Sequence, residues 1–258
     1  MSTDQQTIDS YNEHSEEWAK RMRTKKSLSY FYLEKPAMLA QLPDLTGKSV
    51  LCLGCGSGEE CQMIKGKGAD RVVGTDISKG LIEQAKYTYP EVEFEVMDME
   101  RLTFSLGEFD IVFSSLAVHY LEFWIDLLSG VKKVLKTGGK FIFSTHHPIR
   151  FAFENTKDKD VTKSLLGYEL KDDSEEFVVY GDYLNKHAVQ DLWFDKVKVT
   201  YYHRPFTDII KEVNQSGLDL TNLVEPKPTP AAQKIRPEFY GINQKIPLFL
   251  IVELTKNV

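Results

Sequence analysis

Val50-Leu51-Cys52-Leu53-Gly54-Cys55-Gly56-Ser57-Gly58 is the stretch on which the reading of this chain turns. Four apolar residues in a row suit a buried strand, and the glycines that follow suit a tight turn. Glycine lets a backbone turn sharply and approach a ligand with no Cβ in the way. From Glu59 onward the pattern is helical, so the loop joins a strand to a helix N-terminus. Several nucleotide-binding folds place a loop there, and the loop alone does not choose among them.

Three details narrow the choice. The spacing is G-x-G-x-G, whereas a dinucleotide fingerprint wants glycine or alanine at position 59, where Glu59 stands, followed by Glu60. A pyrophosphate would sit on that helix N-terminus, and two carboxylates would oppose it. The Lys-Ser/Thr pair of a P-loop is missing, which disfavours nucleoside triphosphate hydrolysis. Finally, Asp76 ends the next apolar run, Arg71 to Thr75, where an acid would take ribose hydroxyls.

Working outward, apolar runs alternate with amphipathic ones, the mark of βαβ units around a parallel sheet. Strands are expected at 50–53, 71–76, 92–97, 109–114 and 140–145. Helices are expected from about Glu59, over 78–87 with Ser78 as N-cap, and over 123–135 before Gly138-Gly139. Upstream, 11–23 and 31–41 read as helices, with Pro36 near the start of the second or at a break in it. After Pro148 the regularity stops. Residues 150–175 are charged and loop-like, and 177–202 carries alternating aromatic runs that suit a hairpin outside the sheet. Residues 207–216 read as a helix ended by Gly217, and 218–224 and 248–254 as two closing strands. Pro226, Pro228 and Pro230 predict a stiff, non-helical connection between those strands.

Val50–Gly58, Val73–Ser78 (VGTDIS), Val96–Met99 (VMDM), Phe109–Ser114 (FDIVFS) and Leu135–Phe143 (LKTGGKFIF) together resemble the successive motifs of class I S-adenosylmethionine (SAM)-dependent methyltransferases. The resemblance covers about residues 45–146, in order and at family-like spacing. It implies a doubly wound α/β fold with a mostly parallel, seven-stranded sheet and helices on both faces. It implies SAM as cofactor and S-adenosylhomocysteine as product. Gly54, Cys55, Gly56 and Gly58 would line the amino acid portion of SAM, and Asp76 and Ile77 would take the ribose and adenine. Asp98 would meet the adenine amino group, with Met99 over the ring. Ser114 and Leu116 would lie beside the methionine moiety, and Tyr11 would reach the cofactor from an N-terminal lid. The family usually carries an acid where this chain has Cys52, which leaves Glu59 or a backbone carbonyl to substitute. The implied division is a helical lid over 1–44, the SAM core over 45–147, an acceptor-binding cap over 148–206, and a helix with closing strands over 207–258.

For catalysis the candidates are His119, Tyr120 and His146, which follow the fourth and fifth strands near the expected methyl group. Each has a plain alternative as pocket wall or strand end. Methyl transfer from a sulfonium is an in-line displacement, where holding the partners in line supplies much of the rate, so a base is not required.

The acceptor is read by exclusion. Ser114-Ser115-Leu116-Ala117 replaces the Asp/Asn-Pro-Pro-aromatic stretch of enzymes acting on exocyclic amines of DNA bases, and no cysteine nucleophile follows the fourth strand. The formal charge of -6 makes phosphate-backbone binding a poor fit. A small-molecule acceptor is therefore expected, with no nucleic acid partner. The N-terminus is polar and no apolar run reaches membrane-span length, so a cytoplasmic protein without a membrane partner is expected. Three cysteines within ten residues and no nearby histidine make neither a disulfide framework nor an expected metal site. Two alternatives stand beside this reading: a SAM-binding sensor or partner subunit with little transferase activity, and another Rossmann-type enzyme that uses a nucleotide sugar or nicotinamide.

Overall fold

The apolar run Ser49–Leu53 becomes β1 at the heart of a seven-stranded sheet. The structure is a computed structural model and describes residues 2–24, 26–150, 168–170, 176–179 and 182–257. In chain order the elements are α1 (Gln5–Glu13), α2 (Ser15–Arg23), a π-turn (Tyr30–Glu34), α3 (Lys35–Ala40), β1, α4 (Glu59–Gly66), β2 (Arg71–Asp76), α5 (Lys79–Thr88), β3 (Glu93–Val96) and β4 (Phe109–Ser114). A short 3-10 turn (Val118–Tyr120), α6 (Ile125–Val134) and β5 (Leu135–His146) follow. Next come β6 (Tyr168–Leu170), β7 (Phe177–Val179), β8 (His187–Trp193), β9 (Val197–His203), α7 (Phe206–Ser216), β10 (Asp219–Val224), α8 (Pro230–Ile235), α9 (Pro237–Asn243) and β11 (Phe249–Thr255).

The sheet order is β10-β11-β5-β4-β1-β2-β3. β1 through β5 run parallel, and β11 returns antiparallel between β5 and β10. Strand order reverses beside β1, and in such a sheet the crevice at the carboxyl ends of the strands is where ligands bind. Alternation along each strand feeds two cores. Leu51, Leu53, Val112, Phe141 and Phe143 face α6 and α7. Val50, Cys52, Ile111, Phe113 and Ile142 face α4 and α5. The doubly wound α/β expectation is therefore met, with a seven-stranded, mostly parallel sheet.

The chain departs from the sequence reading where tertiary contacts intervene. The helix expected over 11–23 is two helices broken at His14, which has φ -105° and ψ 21°. The helix expected over 31–41 opens instead as a π-turn. There the Lys35 N–H reaches back to the Tyr30 carbonyl. Pro36 has no N–H for the carbonyl four residues earlier, and that carbonyl, on Tyr32, accepts from Thr229 at 2.7 Å. The fifth strand is longer than expected because β11 pairs along it from Lys140 to His146 and Leu135 pairs with Phe109. The connection between β10 and β11 is not free of helix. α8 and α9 each carry proline in the first turn, where a missing N–H removes no bond. Most of the loop expected over 150–175 lies outside the described residues, although Tyr168–Leu170 is a strand. The aromatic runs form β8 and β9, a hairpin separate from the main sheet.

α1 joins that hairpin to the core. The outer edge of β9 donates N–H groups to two side chains of α1: Lys198 to Ser10 Oγ at 2.9 Å and Thr200 to Thr7 Oγ1 at 2.8 Å. On its other side α1 sits on the start of α5. Asn12 Oδ1 accepts from Ser78 Oγ at 2.9 Å and from the Gly80 N–H at 3.0 Å. A Cβ at Gly80 would stand 2.9 Å from the Asn12 carbonyl oxygen, so only glycine permits this approach.

Candidate active site

The three glycines after β1 all have positive φ, but each has a different task. A Cβ on Gly54 would lie 2.4 Å from the Ala117 Cβ, and one on Gly58 would lie 2.7 Å from the Phe94 ring. Those two glycines let the loop pack inward. A Cβ on Gly56 would meet only Trp18 Nε1, at 3.7 Å, and would enter a cavity of about 440 Å³ at the carboxyl ends of the strands. Asp76 braces this loop. Its Oδ2 accepts the Gly56 N–H at 2.9 Å and its Oδ1 accepts the Ser78 N–H at 2.8 Å. Burial raises the Asp76 carboxyl above the usual range, while these backbone N–H groups pull it back.

The loop end of the cavity is acidic. Glu59, Glu60 and Asp76 all line it. Both Glu59 oxygens are engaged, Oε2 by Ser57 Oγ at 2.6 Å and Oε1 by Arg23 Nε at 3.1 Å. Glu60 differs. Its Oε1 is buried with no hydrogen-bond partner among the described residues, and burial pushes its carboxyl up to about 7. Cys52 is not at the cavity; it lies in the core beneath, with Cys61.

Aromatic rings form much of the rest of the lining. Tyr11 of α1 and Tyr120 meet hydroxyl to hydroxyl at 2.6 Å. Trp18 of α2 stacks on Trp193 of β8 with ring centroids 6.0 Å apart, and Tyr11 meets Trp18 edge-on at 5.0 Å. His146, at the end of β5, lines the cavity and stacks at 3.8 Å on His119, which stands behind it and is fully buried. Burial first, then the Arg150 charge, lowers the basicity of both imidazoles well below the usual histidine range, so both are neutral near pH 7. Arg150 is the one cation among the described residues lining the cavity.

Of the residues singled out by sequence, Gly54, Cys55, Gly56, Asp76, Ile77, Met99, Leu116, Tyr11, Tyr120 and His146 come together around this one cavity. Gly58, Asp98, Ser114 and His119 do not line it. Gly58 packs on Phe94, Ser114 Oγ donates to the Leu53 carbonyl at 3.0 Å, and Asp98 Oδ1 accepts the Glu100 N–H at 2.9 Å. Sequence reasoning missed Met22, Ser29, Glu60 and Arg150 in the lining. It also missed Glu34, a fully buried acid inside the apolar run YFYLEKPAML, and that anomaly was its only signal. Among the described residues no group of three or more His, Cys, Asp or Glu side chains is set to hold a metal ion. No helix among them is long and apolar enough to cross a membrane.

A cavity lined by acids beside a glycine loop and by aromatic rings can hold a cationic group beside a flat apolar one. Comparison with known proteins agrees with the fold. Residues 51–143 match a methyltransferase domain family. An uncharacterized protein of Haemophilus influenzae is 31% identical over 229 residues, 85% of this chain and 85% of that one. The crystal structure of a SAM-dependent methyltransferase from Mesorhizobium loti superposes with a TM-score of 0.70 at 28% identity, covering 89% of this chain and 98% of that one. A putative SAM-dependent methyltransferase from Listeria monocytogenes gives 0.68 at 29% identity, covering 86% and 96%. With the fold, the cavity and these relatives in agreement, the chain belongs to the class I SAM-dependent methyltransferases, enzymes whose cofactor is S-adenosylmethionine.

Proposed function

We propose that this methyltransferase acts on a small-molecule acceptor enclosed between the sheet and the aromatic cap, and that the cavity beside Gly56 holds its cofactor. The observation that carries the reading is the lining of the cavity: three carboxyl groups at the glycine loop together with a set of aromatic side chains. The residues present fit the cofactor. Gly56 leaves an open cradle where any Cβ would intrude, and Glu60 Oε1 is a buried acceptor without a partner among the described residues. Bound SAM supplies an electrophilic methyl group on a sulfonium, open to in-line displacement by an acceptor atom.

The chain's own groups then divide the work. Asp76 holds the ribose hydroxyls; a carboxylate has lone pairs left after two backbone N–H bonds. Ile77 and Met99, which both line the cavity, cover the adenine. Glu60 supplies the negative charge for the ammonium group that Cys52 cannot, since both Glu59 oxygens are committed to Ser57 and Arg23. Tyr11 and Trp18 close the cavity from the N-terminal helices and exclude water. Trp193, Tyr120 and Phe249 hold the apolar face of the acceptor. His146, held neutral, accepts the proton when the acceptor atom has one to lose, and His119 stacks behind it to fix its plane. The buried, unpaired thiols suit a reducing, cytoplasmic setting.

The test is transfer of labelled methyl from SAM to separated fractions of a cell extract: dialysable metabolites, bulk tRNA and protein. Label in the metabolite fraction supports the reading. Label confined to tRNA or protein overturns the small-molecule acceptor.

A further inference from the structure

A buried carboxyl group sits behind the Ser115–Ala117 stretch of the cavity wall. Glu34, the last residue of the π-turn, is fully buried. Its Oε1 accepts from Ser144 Oγ of β5 at 2.5 Å and from Ser115 Oγ, just past β4, at 2.9 Å. Its Oε2 is buried with no hydrogen-bond partner among the described residues. Ser144 Oγ in turn accepts the Leu116 N–H at 2.9 Å. Leu116 has φ +49°, a left-handed conformation that a branched side chain disfavours, and it lines the cavity. The next residue, Ala117, lies where a Cβ on Gly54 would collide at 2.4 Å. Any slip of this turn is therefore transmitted straight to the glycine loop.

Fold stability does not account for this arrangement. A buried carboxyl with one oxygen unsatisfied is destabilising, and an apolar side chain in that place would hold the layers together better. Strain that survives in a packed structure persists because neighbouring contacts over-determine it, and such places cluster at functional sites. A π-turn, which is rare and also clusters at such sites, is what brings Glu34 under the strand ends.

We propose that Glu34 is a positioning residue for methyl transfer: acting through Ser115 and Ser144, it holds Leu116 in the left-handed turn that forms the cavity wall beside the methionine portion of the cofactor. The inference rests on the reading that this cavity binds SAM. Glu34 touches neither cofactor nor acceptor; it sets the wall that does.

Calorimetry with two probes tests it. S-adenosylhomocysteine contains the amino acid portion, and 5′-methylthioadenosine lacks it. Glu34→Ala is expected to weaken S-adenosylhomocysteine by about tenfold or more, because it strips the acceptor from the buried Ser144 hydroxyl and from Ser115 in the cavity wall. It leaves 5′-methylthioadenosine within about twofold of wild type, since the adenosine end is untouched. Glu34→Gln keeps an acceptor oxygen and restores S-adenosylhomocysteine to within about threefold. Ser144→Ala removes one hydroxyl, reproduces the selective loss, and carries the test where Glu34→Ala does not fold. Unchanged S-adenosylhomocysteine affinity in Ser144→Ala and in folded Glu34→Ala overturns the proposal. Equal loss of both probes also overturns it, because a general loosening of the fold would do that. Failure of the wild type to bind either probe removes the cofactor reading itself, a result separate from the other two.

Discussion

Replacing Gly56 with alanine separates the ligand cradle from the fold. The residue has φ +56°, so an alanine there is strained by about 1–2 kcal/mol in the folded state. Space is not the obstacle, because the new Cβ clears Trp18 Nε1 at 3.7 Å. The expected drop in melting temperature is therefore modest, about 2–8 °C for a chain of this size. The methyl group would instead occupy the cradle that the ligand backbone needs. Overpacking of that kind costs about 1–3 kcal/mol, which lowers S-adenosylhomocysteine affinity by about fivefold to 150-fold. Gly54→Ala should do the reverse. Its Cβ would lie 2.4 Å from Ala117, so the fold suffers first and most. Thermal unfolding without ligand, followed by calorimetry on whatever remains folded, reads both terms. Wild-type affinity in a folded Gly56→Ala protein would refute the reasoning, and so would a Gly56→Ala protein less stable than Gly54→Ala.

Other perturbations test the remaining parts. Asp76→Ala removes the acceptor of the Gly56 and Ser78 N–H groups as well as the proposed ribose contact; calorimetry should show S-adenosylhomocysteine binding weakened by at least about tenfold, near 1.4 kcal/mol. Tyr11→Phe breaks the hydroxyl contact with Tyr120; it should cost about 1 kcal/mol of stability by denaturant titration and speed release of bound S-adenosylhomocysteine in stopped flow. Burial pushes the Glu34 carboxyl up from 4.5 to about 7, against the hydrogen bonds from Ser144 and Ser115 and the Lys35 charge. An acid that ionises less readily folded than unfolded withdraws stability as pH rises from its unfolded to its folded value. Relative to Glu34→Gln, the wild type should lose about 3 kcal/mol between about pH 4.5 and about pH 7, and urea titrations of both proteins across that range would show a constant difference if the assignment were wrong.

How much of this could be read from the chain depends on the range of the interactions. Val50–Leu53, Arg71–Asp76 and Phe109–Ser114 declare themselves because each is a short apolar run closed by a turn or a polar residue. Gly54 and Gly56 announce a loop for the same local reason. The break at His14 is different. It follows from where α1 must sit to reach Asn12 onto α5 and Ser10 onto β9, and no property of residues 11–23 encodes that. The same holds for Trp18, which acquires its meaning from Trp193. Glu34 is the clearest case, since its two partners lie 81 and 110 residues away. The departure at Pro230 has a simpler cause, since Pro226 and Pro228 do stand in non-helical backbone. Proline ends helices but also begins them, and Pro230 and Pro237 stand at first turns.

The hydroxyls of Thr7 and Ser10 do something for β9 that a neighbouring strand would otherwise do. An unpaired strand edge is adhesive, and proteins protect such edges with charge, proline, bulges or cover. Here the cover is a helix that borrows side-chain oxygens in place of carbonyls. Replacing both hydroxyl residues would bare the N–H groups of Lys198 and Thr200 together on the rim of a two-stranded ribbon. Self-association would then follow from the loss of two oxygens alone, with the seven-stranded sheet and its cores untouched.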